Sequence, residues 1–477
     1  MPNKKRPTCR TESSQLAEQK AANLPNKKRP TCRIKKRPTC RIGKYSLPLC
    51  QIIFRDMGTY KPRIADKILA DKLESAGGVL IQGPKWCGKT TTAEQHAQSV
   101  LYMSDIENME MAQVGVKNLL QGATPRLVDE WQVAPQLWDA ARHEIDHRHE
   151  EGQFIFTGSA VPADSSKIVH TGTGRFSRMN MRTMSLFESG DSSGGISLEQ
   201  LFDNAGEDIF AQTDIDINRL AYLTCRGGWP SSIKMTERNS LTQAYDYVDA
   251  VISSDISRVD GVNRDPAKAS RILRSLARNQ GCPLSISSIR DDIKGNETST
   301  ISDDTIASYI NALKEIFVVD DVRAWNPNLR SRTAIRTSDT RYFVDPSIAT
   351  AALGIGPKAL LKDLSTFGLI LETLCIRDLR VYASVMNGEV YHYRDKSGLE
   401  CDAVVHLRDG RYGLVEIKLG GENAIEYGAS TLKNLCAKID TDKMSAPAFA
   451  MILVGVGKYA YRRLDGILVV PVGTLRE

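Results

Sequence analysis

The chain has 477 residues, 41% of them hydrophobic and 25% charged, a composition typical of a folded protein with about three domains. No apolar run approaches the ~18–20 residues that a membrane span needs, and the basic N-terminus lacks the apolar core of a secretory signal. We therefore expect no membrane partner. The ten cysteines are scattered without a C-x-x-C pair, so we expect neither a zinc ribbon nor a disulfide framework, and a reduced, cytoplasmic protein.

The net charge of +6 is the sum of a strongly basic, repetitive N-terminal tail, residues 1–56, and an acidic remainder. The heptamer Lys-Lys-Arg-Pro-Thr-Cys-Arg occurs at 4–10, 27–33 and 35–41, and the rest of the chain is net acidic. Such a short polar repeat cannot bury a core, so we expect this tail to be disordered. It is either a polybasic tether for nucleic acid or a membrane or, as we favour, sequence upstream of a true start at Met57.

A strand, a glycine-rich loop and a helix are predicted in succession over residues 78–97. Residues 83–90 read G-P-K-W-C-G-K-T, which matches the phosphate-loop pattern G-x-x-x-x-G-K-[ST] in its required context. In such a loop the backbone N–H groups surround phosphates, Lys89 contacts the β- and γ-phosphates, and the Thr90 hydroxyl binds Mg²⁺. The predicted nucleotide-binding residues here are Gly83, Pro84, Lys85, Trp86, Cys87, Gly88, Lys89, Thr90 and Thr91.

Two adjacent carboxylates predict that the bound nucleotide is hydrolysed. Asp129 and Glu130 end a short strand that begins at Arg126, and ligands bind at that end of the strands in open α/β sheets. Asp129 is the expected Mg²⁺ ligand beside Thr90, and Glu130 is the expected catalytic residue that polarises the attacking water.

Further side chains are candidates for contact with the γ-phosphate. A third apolar strand, 153–159, ends in polar residues, and Thr157 or Ser159 could contact the γ-phosphate or the attacking water. We include Ser159 among the nucleotide-binding residues. Arg175 lies in a glycine-rich segment and is the candidate arginine finger, either for its own site or for that of a neighbouring subunit, with Arg178 as the alternative.

A zinc-protease pattern also occurs, since His143, Glu144 and His147 match H-E-x-x-H. The motif lies where a crossover helix must connect two strands, its neighbours are charged, and no third ligand follows at the spacing of zinc proteases. We therefore interpret it as a solvated helix face.

These motifs resemble the prokaryotic AAA-type, P-loop ATPases that carry a C-terminal domain of unknown function. The resemblance covers the chain from about Met57 to the C-terminus and rests on residues 83–90, 127–130, 156–159, 174–175 and 184–188. It implies an α/β fold with a parallel sheet flanked by helices, binding of ATP and Mg²⁺, and slow ATP hydrolysis, with no settled cellular role.

The middle of the chain predicts a helical lid followed by a winged-helix-like module. Helical periodicity covers 245–257, 267–279 and 301–313, and two strand-like runs follow at 317–322 and 341–345. Ser302 or Asp303 is a suitable N-cap for the last of these helices.

Such a module could bind DNA, but its charges argue against the usual helix. The last predicted helix carries Asp303, Asp304 and Glu315 against a single Lys314, and a recognition helix should not repel phosphate. A role as a lid or packing module is the favoured interpretation, and the better nucleic-acid candidates are the loop arginines Arg323, Arg330, Arg332 and Arg336.

A β-hairpin is predicted near the C-terminus, with strands at 399–405 and 412–419. Strand alternation places Glu416 and Lys418 on one face, and Asp402 can meet Glu416 across the hairpin.

The hairpin resembles the PD-(D/E)xK nuclease signature, with Asp402, Glu416 and Lys418 at the matching positions. Asp402 and Glu416 are then the Mg²⁺ ligands, all three residues are catalytic candidates, and Glu372 on the preceding helix is a further ligand candidate. The alternative is a structural hairpin whose carboxylates pair with the lysine.

The predicted organisation is a tail, an ATPase domain, a lid with a winged-helix-like module, and an α/β nuclease-like domain, at residues 1–56, 57–200, 201–345 and 346–477. Three functions remain open: an ATP-driven switch acting on the C-terminal modules, an ATP-regulated Mg²⁺ nuclease for DNA or RNA, and a non-hydrolysing interaction protein. Besides ATP, the candidate partners are nucleic acid, another protein and further copies of this chain.

Overall fold

Five parallel strands form the first sheet, in the order β2-β3-β4-β1-β5. In the computed structural model these strands are β1 Gly78–Gln82, β2 Ser99–Tyr102, β3 Arg126–Asp129, β4 Phe154–Gly158 and β5 Phe176–Asn180. The structure describes residues 60–160, 170–204, 206–294, 301–326, 338–442 and 444–477. The tail at 1–56, the start at Met57 and the loop arginines Arg330, Arg332 and Arg336 therefore lie outside the described residues.

Helices cover both faces of this sheet, which is why its strands β1 and β4 are buried and mostly apolar. The helices are α1 Ile64–Leu73, α2 Lys89–His96, α3 Ile106–Val114, α4 Val116–Leu119 and α5 Gln136–Arg148. Alternate strand residues pack on α1 and α2 on one face and on α3, α4 and α5 on the other. The predicted parallel α/β sheet is confirmed.

A helical region follows the first sheet. Its elements are α6 Leu186–Ser189, α7 Leu198–Asp203, α8 Ile217–Arg226, α9 Glu237–Ala250, a π-helix Val251–Asp255, α10 Ile256–Arg258, α11 Pro266–Arg278, α12 Ile286–Lys294 and α13 Asp303–Glu315. Ser302 caps α13, as predicted, because its side chain accepts a hydrogen bond from the backbone N–H of Thr305.

The two strands predicted at 317–322 and 341–345 were wrong as regular strands. The structure has only isolated bridges there, Val319 with Phe343 and Val322 with Thr340. Phe317 has a left-handed backbone with φ 59°, so an extended strand cannot begin there, and the pairing is limited to a few bonds such as that from the Asp320 N–H to the Tyr342 carbonyl oxygen. The Arg380 guanidinium donates to the carbonyl oxygens of Asp320 and Asp321 at 3.0 and 2.6 Å.

A seven-stranded mixed sheet forms the C-terminal part, in the order β7-β12-β13-β11-β10-β9-β8. Its strands, with the pair β6 and β14, are β6 Ile196–Ser197, β7 Ala211–Gln212, β8 Glu389–Arg394, β9 Glu400–His406, β10 Tyr412–Lys418, β11 Phe449–Val454, β12 Tyr459–Arg462, β13 Leu468–Pro471 and β14 Leu475–Arg476. Thus β6 and β7, which precede the predicted C-terminal domain in sequence, pair with its strands.

The helices of this part are α14 Pro346–Leu353, α15 Pro357–Leu360, α16 Leu364–Val385 and α17 Glu422–Lys438. The apolar faces of α16 and α17 pack on opposite faces of the β9–β10 hairpin. Val415 lies in the apolar cluster on the α16 side, and Leu414 lies in the cluster on the α17 side. No helix in the described ranges has the length and apolarity to cross a membrane. The parts from residue 60 onward belong to one compact unit.

Candidate functional site

The phosphate loop joins β1 to α2 and needs glycine at two positions. Gly83 has φ 154°, and a Cβ there would lie 2.1 Å from the Met181 carbonyl oxygen. Gly88 has φ 99° and immediately precedes α2. The left-handed backbone at Gly88 is accessible to glycine at little steric cost and lets the chain turn into the helix. The loop therefore ends at the N-terminus of α2, where anions bind.

Lys89 is held over the loop and is 6% exposed. Its ammonium group donates hydrogen bonds to the carbonyl oxygens of Gly83 and Pro84 at 3.0 and 2.8 Å. Within the described ranges no salt bridge to a carboxylate is seen for Lys89. A buried cation with only carbonyl partners is suited to an anionic ligand.

Three oxygen-bearing side chains meet at the carboxyl end of β3. Asp129 is 8% exposed, and its Oδ1 accepts hydrogen bonds from Thr90 Oγ1 at 2.6 Å and Thr157 Oγ1 at 2.5 Å. The structure thus brings together Thr90 and Asp129, the two predicted Mg²⁺ ligands. Carboxylate and hydroxyl oxygens are the ligands that Mg²⁺ prefers, so this donor set fits the ion.

Glu130 follows Asp129 with a left-handed backbone, φ 55° and ψ 43°. Its carboxylate accepts hydrogen bonds from Ser159 Oγ at 3.1 Å and from the Gln132 side-chain amide. A non-glycine residue in this conformation is uncommon and concentrates at functional sites. Of the two polar residues predicted at the end of the third strand, Thr157 contacts Asp129 and Ser159 contacts Glu130.

A cleft of about 1080 Å³ opens beside the loop. Ligand pockets typically measure about 300–1,000 Å³, so a nucleoside triphosphate can be accommodated. One wall contains loop residues and Glu130, and the sequence did not predict the other wall, formed by Pro230, Ser231, Met235, Asn239, Thr242, Gln243 and Asp246. Polar residues at helical spacing are usual on any solvated helix, so the sequence held no specific signal for them.

Side chains at the positions that the phosphate-loop pattern leaves open contact the helical region. Lys85 Nζ lies 2.6 Å from Asp255 Oδ1, and the Trp86 ring packs edge-on against Tyr247 with centroids 5.5 Å apart. Cys87 is buried, with Sγ 3.5 Å from the Met181 carbonyl oxygen. Of these residues Lys85 and Trp86 line the cleft, as does Thr91.

Arg175 lies at the opposite end of the parallel strands from the phosphate loop. Gly78, the first residue of β1, donates its backbone N–H to the Arg175 carbonyl oxygen, whereas the loop follows the last residue of β1. The Arg175 guanidinium pairs with Asp146 at 2.7 Å. Arg175 therefore cannot be the finger of its own site, and the prediction survives only for a neighbouring subunit. The alternative, Arg178, lies over the Trp138 ring at 5.7 Å.

The C-terminal candidates do meet in space, but around a lysine. Lys418 Nζ lies 2.6 Å from Glu416 Oε2 and 3.2 Å from Asp402 Oδ2, which also accepts the backbone N–H of Ile417 at 2.7 Å. Glu372 on α16 accepts a hydrogen bond from the Tyr342 hydroxyl.

Burial and mutual repulsion shape the acidity of this cluster. Burial, followed by the neighbouring Asp402 carboxylate, raises the pKa of Glu416 to about 8. The same two causes raise the pKa of Glu372 well above its usual range. Among the described residues, no group of three potential ligands is arranged to hold a metal ion. The Mg²⁺ roles of Asp402 and Glu416 therefore stay predictions.

The H-E-x-x-H segment lies on α5, between β3 and β4. The His143 and His147 rings stack with centroids 4.2 Å apart, and Glu144 pairs with Arg148 at 2.8 Å. Glu144 is thus part of an ion pair along the helix.

Three family models match the chain. An AAA domain matches residues 76–189, and two domains of unknown function, DUF8612 and DUF4143, match residues 217–359 and 367–475. The first match contains the phosphate loop, Asp129 and Glu130, on a sheet of the expected parallel kind. Residues 76–189 therefore resemble an AAA domain, with a phosphate loop that is suited to bind a nucleotide. The other two models assign no activity.

No curated protein matches the sequence. Among solved structures, the Walker-type ATPase PABY2304 of Pyrococcus abyssi is similar at 13% identity and TM-score 0.39, over 61% of this chain and 96% of that one. The Aeropyrum pernix ORC1 protein in complex with DNA is similar at 13% identity and TM-score 0.23, over 64% and 95%. Both TM-scores are too low to support an argument.

Proposed function

We propose that this protein is a Mg²⁺-dependent ATPase whose nucleotide state changes the arrangement of its C-terminal modules. The observation that carries the proposal is the contact of Thr90 with Asp129 at 2.6 Å beside Glu130 and Lys89. Mg²⁺ bound by Thr90 and Asp129 would neutralise charge on the phosphates.

The remaining chemistry belongs to side chains of this chain. Lys89 exchanges its two carbonyl partners for phosphate oxygens, which stabilises the negative charge of the substrate. Glu130 orients a water towards the γ-phosphate, and the Ser159 and Gln132 hydrogen bonds fix its carboxylate. Glutamine at position 130 would keep these contacts but lose the charge that polarises the water.

The switch proposal is supported by buried contacts that start at the phosphate loop. The Arg63 guanidinium donates to the carbonyl oxygens of Cys87 in the loop at 2.9 Å and of Arg182 at 3.0 Å. It also pairs with Glu188 at 3.0 Å. A change in the conformation of the loop would therefore shift Arg63 and, through it, residues 182–188.

A second set of ion pairs extends from there to α16. Asp320 pairs with Arg182 at 2.7 Å and with Arg380 of α16, also at 2.7 Å. The same helix carries Glu372 of the C-terminal cluster. Asp320 thus links the end of the ATPase domain to the helix that packs on the β9–β10 hairpin.

Phosphate release from ATP·Mg²⁺ tests the ATPase part of the proposal. Wild type should release phosphate, EDTA should abolish release, and Lys89→Ala should bind no ATP because the loop loses its cation. Hydrogen exchange in α16, with and without ATP, tests the switch. Protection that changes with ATP in wild type and not in Lys89→Ala is expected, and exchange that is identical in both states contradicts the switch.

A Mg²⁺ nuclease is the second candidate function, favoured by the meeting of Asp402, Glu416 and Lys418. Metal-dependent cleavage of DNA or RNA that disappears in Asp402→Ala while phosphate release persists would support it. If Glu130→Gln leaves the cellular role intact, the third candidate, a non-hydrolysing interaction protein, is favoured instead.

A further inference from the structure

One wall of the nucleotide cleft comes from α9, inside the domain of unknown function at 217–359. We propose that α9 binds the nucleoside half of ATP, with the side-chain amides of Asn239 and Gln243 on the base and the Asp246 carboxylate on the ribose hydroxyls. The inference rests on the proposed ATPase function and assigns base recognition to a domain without a known role.

The sequence of α9 separates a buried face from a polar one. Asn239, Gln243 and Asp246 follow one another at intervals of four and three residues, so they share one face of the helix. Together with Thr242 they line the cleft. The opposite face packs into the core through Ser240, Ala244, Tyr247 and Val248. The buried face therefore fixes the direction in which the polar face points.

The direction of α9 agrees with the direction of a bound nucleotide. Its C-terminal end lies beside the start of the phosphate loop, since Tyr247 contacts Trp86 and Asp255 contacts Lys85. Asn239 lies two turns further away. At about 1.5 Å per residue, Asn239 and Asp246 are separated by ~10 Å along the helix, comparable to the length of a nucleoside. Asp246 is thus nearer the phosphates, and Asn239 is nearer the base.

Gln243 carries an unsatisfied acceptor. Its Nε2 donates a hydrogen bond to Ser231 Oγ, which fixes the amide, while its buried Oε1 has no hydrogen-bond partner in the described structure. A buried acceptor without a donor is unfavourable. In the proposed complex the Gln243 side chain turns towards the cleft, where the exocyclic amino group of adenine supplies the missing donor. Guanine carries an acceptor oxygen at that position. The geometry therefore favours ATP over GTP.

Apolar surface for the base ring is present in the same cleft. Pro230 packs close to the loop, with its Cγ 3.4 Å from the position of a Cβ at Gly88, and Met235 is 42% exposed. Both residues line the cleft, and such a mixture of apolar walls with a few polar groups is typical of small-molecule sites.

Competition between ATP, GTP and inorganic tripolyphosphate tests the inference, because tripolyphosphate engages the loop but has no nucleoside. Full-length wild type should bind ATP about a hundredfold more tightly than tripolyphosphate. Asn239→Ala and Gln243→Ala should each weaken ATP binding about tenfold and leave tripolyphosphate unchanged. Gln243→Ala should also reduce the preference for ATP over GTP. Asn118→Ala removes an exposed amide on α4 and is the matched control.

Equal affinity of wild type for ATP and tripolyphosphate would overturn the inference, and phosphate release from ATP would still support the proposed function. Unchanged ATP affinity in both variants would also overturn it. If Gln243→Ala also loses tripolyphosphate binding, the result for Asn239→Ala decides whether the inference holds, because Asn239 is exposed and its removal perturbs no buried contact. A wild type that binds neither ligand contradicts the proposed function itself.

Discussion

Lys85 Nζ lies 2.6 Å from Asp255 Oδ1, so a phosphate-loop side chain is paired with the π-helix that follows α9. The Asp255 side chain is 10% exposed and that of Lys85 is 40% exposed. The pair fixes the helical region against the loop at the end of the cleft where Glu130 lies. We therefore expect nucleotide binding and the position of this region to be coupled in part through this ion pair, which lies beside the ring contact of Trp86 with Tyr247.

We expect Asp255→Asn to weaken that coupling. ATP should protect the backbone amides of residues 237–258 from hydrogen exchange in wild type, and the protection should be smaller in the variant because the loop no longer holds the helix electrostatically. Asp249→Asn, an exposed acid on α9, is the matched control and should behave as wild type. Equal protection in Asp255→Asn and wild type would show that the ion pair transmits nothing.

Arg63→Ala should be strongly destabilising. The Arg63 and Glu188 side chains are 4% and 2% exposed, so the substitution leaves a buried carboxylate without its cation. We expect a loss of about 3–5 kcal/mol in the free energy of unfolding by urea. Arg142→Ala breaks the more exposed pair with Asp146 and should cost about 0.5 kcal/mol or less. Similar losses in the two variants would contradict the importance of burial.

Asp320 should make stability depend on acid pH. Burial alone would raise its pKa, but the guanidinium groups of Arg182 and Arg380 outweigh burial and lower the pKa to about 2. Because the folded state holds the proton less tightly than the unfolded state, the stabilisation is complete above about pH 4 and is lost as pH falls towards 2.

The free energy of unfolding, measured by urea at several pH values, checks this expectation. Wild type should lose about 2 kcal/mol through Asp320 between pH 5 and pH 2. Asp320→Asn should be less stable at pH 5 and should show a smaller decrease on acidification. An identical pH dependence in the two proteins would rule out a lowered pKa at Asp320.

Arg175 predicts shared active sites if the protein forms oligomers. Arg175 lies at the end of the strands that is remote from the phosphate loop of its own chain. If it acts in the active site of a neighbouring subunit, Arg175→Ala should reduce ATP hydrolysis about a thousandfold. Mixing Arg175→Ala with Glu130→Gln should then restore activity, since a mixed pair contains one intact site. Full activity of Arg175→Ala alone would exclude the finger role.

The phosphate loop was predictable because its chemistry is local. The glycines, Lys89 and Thr90 must follow one another in a fixed order, and the strand before them is visible as an apolar run. Asp129 could be added because parallel strands end at one edge of the sheet. The second wall of the cleft was not predictable, since Asn239 and Gln243 have no fixed spacing from the loop.

The C-terminal hairpin shows a different limit. Its strands and the closeness of Asp402 to Glu416 follow from alternation, and the structure agrees. Either Lys418 or a metal ion could neutralise the two carboxylates. The choice depends on side-chain positions, which alternation does not determine. The 317–322 strand was wrong because alternation does not reveal the left-handed backbone of Phe317, or that Arg380, distant in sequence, donates to the carbonyl oxygens of Asp320 and Asp321.

Phosphate release by wild type and Glu130→Gln, measured side by side with ATP and Mg²⁺, tests the central claim most directly. The account predicts release by wild type, a loss of about a hundredfold or more in Glu130→Gln, and retained ATP binding in the variant. No release by wild type, or equal release by the two proteins, would contradict the assignment of Glu130 in an ATP-hydrolysing site.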